Sequence, residues 1–240
     1  MKNLEVLNRE IISCRKCPRL VAWREEVARV KRKAYRDQEY WGRPVPGFGD
    51  PKARVLVVGL APGAHGANRT GRNFTGDASG RFLYPALYRA GFANQPSAES
   101  RSDGLTLNDL YIVASARCVP PDNKLTPEEL NNCQPYLERD LEILKPKVIV
   151  CLGRIAFERI LKIYSHSLTL TLPHASTSLS GKGRGDSRWK FGHGASYQLD
   201  NGTWILCSYH PSQQNTQTGK LTVKMFDEIW AKAQELIRDE

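Results

Sequence analysis

Four six-residue runs, at 54–59, 110–115, 147–152 and 203–208, have apolar centres that do not alternate with polar residues. Strands of that kind are covered on both faces, as in a parallel sheet lying between helices. Helical periodicity fills the intervals at 79–90, 126–144 and 154–164, and a last amphipathic stretch covers 221–237. Thr126, Pro127 and Glu129 form a capping box with proline at the first helical position, which marks a helix start. This alternation predicts an α/β fold, a three-layer α/β/α sandwich with a central, mainly parallel four-stranded sheet.

The flanks of this unit read differently. Leu4, Leu7, Ile11 and Ile12 mark a short helix running up to Cys14. Pro18 opens a second helix with Leu20, Trp23, Val27 and Val30 on one face, and the basic run KRKAYR ends it. The connector WGRPVPGFGDP (41–51) is expected to be a loop without regular pairing. Residues 165–200 break the strand–helix rhythm and read as a hairpin insertion whose basic tip, SGKGRGDSRWK, is a solvated loop in preference to a nucleic-acid contact. A chain of 240 residues with 40% hydrophobic content supports one substantial core. The expected organisation is a single domain over 1–240, with an N-terminal helical segment at about 1–40.

MKNLEVLNREI has no signal-peptide core, and no apolar run approaches membrane-spanning length. A cytoplasmic, monomeric protein without a membrane partner is expected. The 35 Lys and Arg against 25 Asp and Glu leave a net charge of +10, which favours a polyanionic partner.

Open parallel sheets bind ligands beyond the carboxyl ends of their strands. Two unusual segments begin at such ends. GLAPGAHGANRTGRNFTGD (59–77) follows VLVV, and HPSQQN (210–215) follows WILCSY. The first lacks the GK[ST] ending of a phosphate-binding loop and the GxGxxG of a dinucleotide site. Its five glycines suggest that a flat ligand lies against bare main chain. Phe74 can stack on that ligand and Asp77 can face it. Equally, Phe74 can be core and Asp77 can cap the next helix. His210 is a candidate acid or electrophile; His65, His166, His174 and His193 carry weaker signals.

Of the six cysteines, Cys151 and Cys207 fall in apolar strands and read as small buried hydrophobes. Cys14, Cys17, Cys118 and Cys133 have polar surroundings. Cys14 and Cys17 form C-x₂-C without the preceding strand of a thioredoxin motif. Four thiolates can hold zinc or an iron–sulfur cluster, and spacing does not choose between these or four unrelated thiols.

Taken together, these residues resemble the uracil-DNA glycosylase superfamily, most closely its family-5 (type b) branch. The 59–77 loop is similar to that branch's first motif along its length, and HPSQQN to its second, HPSxxN. C-x₂-C with RCVPPDNKLTPEE and Cys133 resembles the four-cysteine [4Fe–4S] framework of the family-4 and family-5 enzymes. The resemblance spans roughly residue 10 to the C-terminus.

It implies a DNA repair enzyme acting on DNA that contains uracil or other deaminated bases, in the nucleoid. The base is flipped into a pocket and its N-glycosidic bond hydrolysed to an abasic site, without a lyase step. Gly59, Leu60 and Ala61 would meet the base edge and Phe74 its face. Asp77 would serve the attacking water, His210 the departing base, and Asn123 would be a second polar group near the water. Ser212, Gln213, Gln214 and Asn215 would contact DNA, with Gln213 to Asn215 entering the minor groove. Cys14, Cys17, Cys118 and Cys133 would hold a structural [4Fe–4S] cluster that ties the N-terminal segment to the loop after the second strand.

Two departures bear on specificity. Leu60 stands where other branches have an acidic or polar residue. Ala114 aligns with an asparagine that reads uracil in family 4. Losing a side chain that demands a matching hydrogen bond relaxes discrimination, so hypoxanthine and other modified bases are expected substrates besides uracil. The rival readings are a non-catalytic, metal-stabilised nucleic-acid-binding module and an iron–sulfur electron carrier.

Overall fold

The four apolar runs become the middle of one sheet. A computed structural model describes residues 3–168 and 189–238. The central strands are β2 (Val55–Gly59), β3 (Leu110–Ala114), β4 (Val148–Leu152) and β6 (Trp204–Ser208). All three pairings among them, β3 with β2, β2 with β4 and β4 with β6, are parallel.

The sheet has six strands rather than four, in the order β1-β3-β2-β4-β6-β5. Both additions are short antiparallel edges: β1 (Phe48–Gly49) on β3 and β5 (Ser196–Gln198) on β6. β1 corrects the expectation of an unpaired connector. Gly49, at φ 138°, lies so close to β3 that a β-carbon there would sit 2.2 Å from the Leu110 carbonyl oxygen. A segment rich in glycine and proline can therefore still run along a strand edge. Of the expected 165–200 insertion, 165–168 instead continue the preceding helix and β5 is a strand; 169–188, with most of the basic tip and His174, lie outside the described residues.

Side chains of the central strands alternate between two apolar layers. Val55, Val57, Leu110, Ile112, Val148, Val150 and Leu206 pack with α4 (Ala78–Arg89) and α8 (Val223–Arg238), where Leu83, Phe226 and Trp230 are buried. Leu56, Val58, Val113, Ile149, Cys151, Ile205 and Cys207 face α1 (Leu4–Ser13), α5 (Pro127–Leu144) and α6 (Arg154–Leu168). That is the three-layer sandwich, with Cys151 and Cys207 in the core. α2 (Pro18–Val30) starts at Pro18 as expected, and Thr126 and Glu129 complete their capping box.

Two short helices had no hydrophobic periodicity to announce them: α3 (Ala67–Thr70) and α7 (Gln213–Gln217). α7 begins where the Ser212 hydroxyl accepts a hydrogen bond from the Asn215 amide at 3.3 Å. Leu221, expected inside the last helix, is instead buried in the turn before it and donates its N–H to the Asn215 carbonyl at 3.0 Å.

Candidate active site at the carboxyl rim of the sheet

Because the four central strands run parallel, the loops that follow them leave from one rim. The 59–77 loop and the 209–215 segment meet there. The rings of Phe74 and His210 lie 5.9 Å apart, tilted by 36°. Phe74 adopts a left-handed backbone, φ 53°, uncommon for a bulky residue. Its ring rests on Gly59, where a β-carbon would come within 3.0 Å of Cζ. It is only half-buried while packing on the core, so both sequence readings describe part of its role.

Leu60 and Ala61 are partly exposed beside it. The Ser115 N–H and hydroxyl donate to the Gly59 carbonyl at 2.9 and 3.0 Å, and the Ala116 N–H donates to that of Leu60 at 2.9 Å. Ala114 pairs with Gly59 across β2 and β3 and is buried at the same rim.

Asp77 divides its two oxygens. Oδ1 accepts the Gly80 N–H at 2.8 Å and caps α4. Oδ2 is turned to the opposite wall of the loop, where a β-carbon on Gly66 would lie 2.0 Å away and one on Gly63 3.3 Å away. Burial pushes the carboxyl above its ordinary range, opposed by the Gly80 N–H, Arg81, the Ser79 N–H and Arg69. The glycines therefore do something other than expected. Gly59, Gly66 and Gly76 make room for Phe74, Asp77 and Arg69, the protein's own side chains.

Burial moves the His210 imidazole the other way, down to about 4, so it is neutral at physiological pH. Its backbone is held on both sides. Asn215 donates its side-chain amide to the His210 carbonyl at 2.9 Å. His193, which the sequence did not single out, accepts the Tyr209 N–H on Nδ1 at 3.1 Å. The other ring nitrogen of His193 therefore carries the proton and donates to the Met225 carbonyl at 3.2 Å.

The Asn215 amide is thus committed to the loop, and Gln213 and Gln214 are exposed at the start of α7. Asn123 lies in an exposed left-handed turn at φ 57°, and none of the described hydrogen bonds joins it to Asp77 or His210.

A family model described as the uracil DNA glycosylase superfamily matches residues 46–234. The chain belongs to that superfamily. A protein of Thermus thermophilus named Type-5 uracil-DNA glycosylase is 50% identical over 97% of this chain and 97% of its own. Proteins of the same name from Mycobacterium bovis and Pyrobaculum aerophilum are 48% and 42% identical. These matches cover 96% and 93% of this chain and 80% and 88% of theirs. The two segments singled out in the sequence both lie within the span of the superfamily model.

Outside the rim, this superfamily member gathers Cys14, Cys17, Cys118 and Cys133 around one cavity, together with Arg24 and Arg117. Arg24 reaches the Cys118 sulfur at 3.0 Å and Asn132 that of Cys17 at 3.5 Å. Arg24 Nε and Arg117 Nε and Nη1 are buried without a hydrogen-bond partner among the described residues. Burial pushes the Cys118 thiol up to about 12 and raises those of Cys17 and Cys133. Among the described residues no three His, Cys, Asp or Glu side chains are grouped closely enough to hold a metal ion. No helix among them is long and apolar enough to cross a membrane.

Proposed function

We propose that this protein is a DNA repair glycosylase that removes uracil from DNA by hydrolysing its N-glycosidic bond, leaving an abasic site. The observation that carries the reading is the divided carboxylate of Asp77: one oxygen holds the helix, and the other faces the loop wall at the rim that bears Phe74 and His210.

The chemistry follows from charge. As the C1′–N bond lengthens, its electron pair leaves with the base and the sugar becomes cationic. Asp77, ionised, offsets that positive charge, orients the attacking water and takes its proton. The neutral imidazole of His210 donates a hydrogen bond to the anionic leaving base. Phe74 offers its half-buried ring to the base, and Gln213 and Gln214 project from α7 toward the duplex. The reading is of simple hydrolysis, with water rather than a lysine amine as the nucleophile and no lyase step. A methyl group at Ala114 and an apolar side chain at Leu60 make no directional demand on the base edge, which supports a range that includes hypoxanthine and other deaminated bases.

The four cysteines fit a [4Fe–4S] cluster. They line one cavity, and the unpartnered guanidinium donors of Arg24 and Arg117 would face the negative charge that a thiolate-bound cluster carries. When bound, the group would supply cross-linking: Cys14 and Cys17 lie at the α1–α2 junction, Cys118 after β3 and Cys133 in α5.

The deciding experiment incubates the protein with a uracil-containing oligonucleotide, treats it with alkali and looks for the cut strand. A strand cut only after alkali is the expected result; an uncut strand returns the protein to the binding-module reading.

A further inference from the structure

Arg69 is 7% exposed and forms no salt bridge among the described residues, yet each of its nitrogens is engaged. Nε donates to the His65 carbonyl at 2.7 Å, and Nη2 to the Gly76 carbonyl at 3.1 Å. His65 precedes Gly66, the residue that walls Asp77 Oδ2; Gly76 precedes Asp77 itself. One planar guanidinium therefore ties together the two arms of the loop between which the carboxylate sits. Gly76, at φ 72°, admits it, since a β-carbon there would lie 2.1 Å from Nη2. From outside, Tyr35 lies against the guanidinium, 4.1 Å from its ring centroid, and Gln38 accepts from Nη1 at 2.5 Å. His65 is held as well, its Nδ1 at 3.0 Å from the Tyr40 hydroxyl.

We infer that Arg69 is the positioning residue of the reaction, fixing the gap between Gly66 and Asp77, and that Tyr35 and Gln38 lock it there. This deepens the glycosylase reading and rests on it. A carboxylate serving one water must be held to within a fraction of an ångström, and a misplacement of about 1 Å costs about 10²-fold in rate. A rigid fork bonding two carbonyls at once can impose that, whereas a lysine has a single ammonium on a flexible stem. Arg69 also adds positive charge near Asp77, as does Arg81 of α4, while the buried Tyr84 phenol is the other titratable group of α4 coupled to that carboxylate.

The test compares wild type, Arg69→Lys, Arg69→Met and Gln38→Ala in single-turnover excision of uracil across pH. Affinity for uncleaved DNA and thermal unfolding are measured alongside. The expected result is a fall of about 10²-fold in the rate constant for Arg69→Met, with DNA affinity within twofold of wild type. Its acid limb should move upward in pH, Arg69→Lys should restore the limb but only part of the rate, and Gln38→Ala should show a smaller loss. A wild-type protein that excises uracil while both Arg69 variants keep its rate and pH profile overturns the inference. So does a loss that tracks only unfolding or DNA affinity. If Arg69→Met does not fold, Arg69→Lys and Gln38→Ala decide by the same readings. A wild type that leaves uracil in place sinks the glycosylase reading instead.

Discussion

Gly66 and Asp77 face each other so closely that a single methyl group on residue 66 would stand 2.0 Å from the carboxylate oxygen Oδ2. Since real contacts of that length do not exist, Gly66→Ala must push the carboxylate aside. The expected outcome is a folded protein with DNA affinity near wild type and a rate lower by about 10²-fold. Single-turnover kinetics with a binding isotherm checks this.

Asp77→Asn separates the two duties of that side chain. Asparagine also caps helices well, so α4 and the thermal midpoint should survive. The rate should drop by about 10²- to 10⁴-fold, the usual contribution of a positioned acid–base group. A variant of near-wild-type rate would remove Asp77 from the chemistry.

Acid should act on the two buried groups in distinguishable ways. On the proposed mechanism Asp77 works ionised, and burial raises its pKa, so activity should begin to fall with decreasing pH above the usual carboxylate range. For His210 the unfolded chain takes up a proton below about 6.5 and the folded chain only below about 4. Between these values the unfolded state binds more protons, so His210 makes stability fall as pH falls through that window. His210→Ala should flatten this decline in denaturant titrations and, at neutral pH, cost about 10²- to 10³-fold in rate.

Restoring a demand on the base edge should narrow the substrate range. With Ala114→Asn, a base that leaves the new amide unpaired is penalised by about 1–3 kcal/mol, or roughly 5- to 150-fold in relative rate. Competition between uracil and hypoxanthine oligonucleotides measures it. An unchanged ratio would place base selection elsewhere.

Iron and visible absorbance should accompany the purified protein, and both should fall on Cys133→Ser with a lower unfolding temperature. A colourless, zinc-loaded protein of full activity contradicts the cluster.

Much of this was legible because apolar runs and helix caps are local signals. The central strands needed only Val, Ile and Leu in unbroken order, and the start of α5 needed only Thr126, Pro127 and Glu129. The edges were not, since β1 depends on how near Gly49 comes to Leu110, a distance no composition encodes. At the site, spacing placed Phe74, Asp77 and His210 on one rim but missed Arg69 and gave His193 only a weak signal. Both act through backbone carbonyls and amides, and such partners leave no trace in side-chain identity. The loop glycines were read as ligand space for the same reason: the occupants, Phe74, Asp77 and Arg69, come from elsewhere in the same loop.

Phe74 also has a kinetic meaning. Its left-handed backbone and its seat on Gly59 set the ring's attitude before any nucleotide arrives. On the glycosylase reading proposed above, a uracil swinging out of the helix would meet a ring already in place, and recognition would not wait for the enzyme to rearrange. The delay would then fall on the nucleic acid, whose own opening would set the pace.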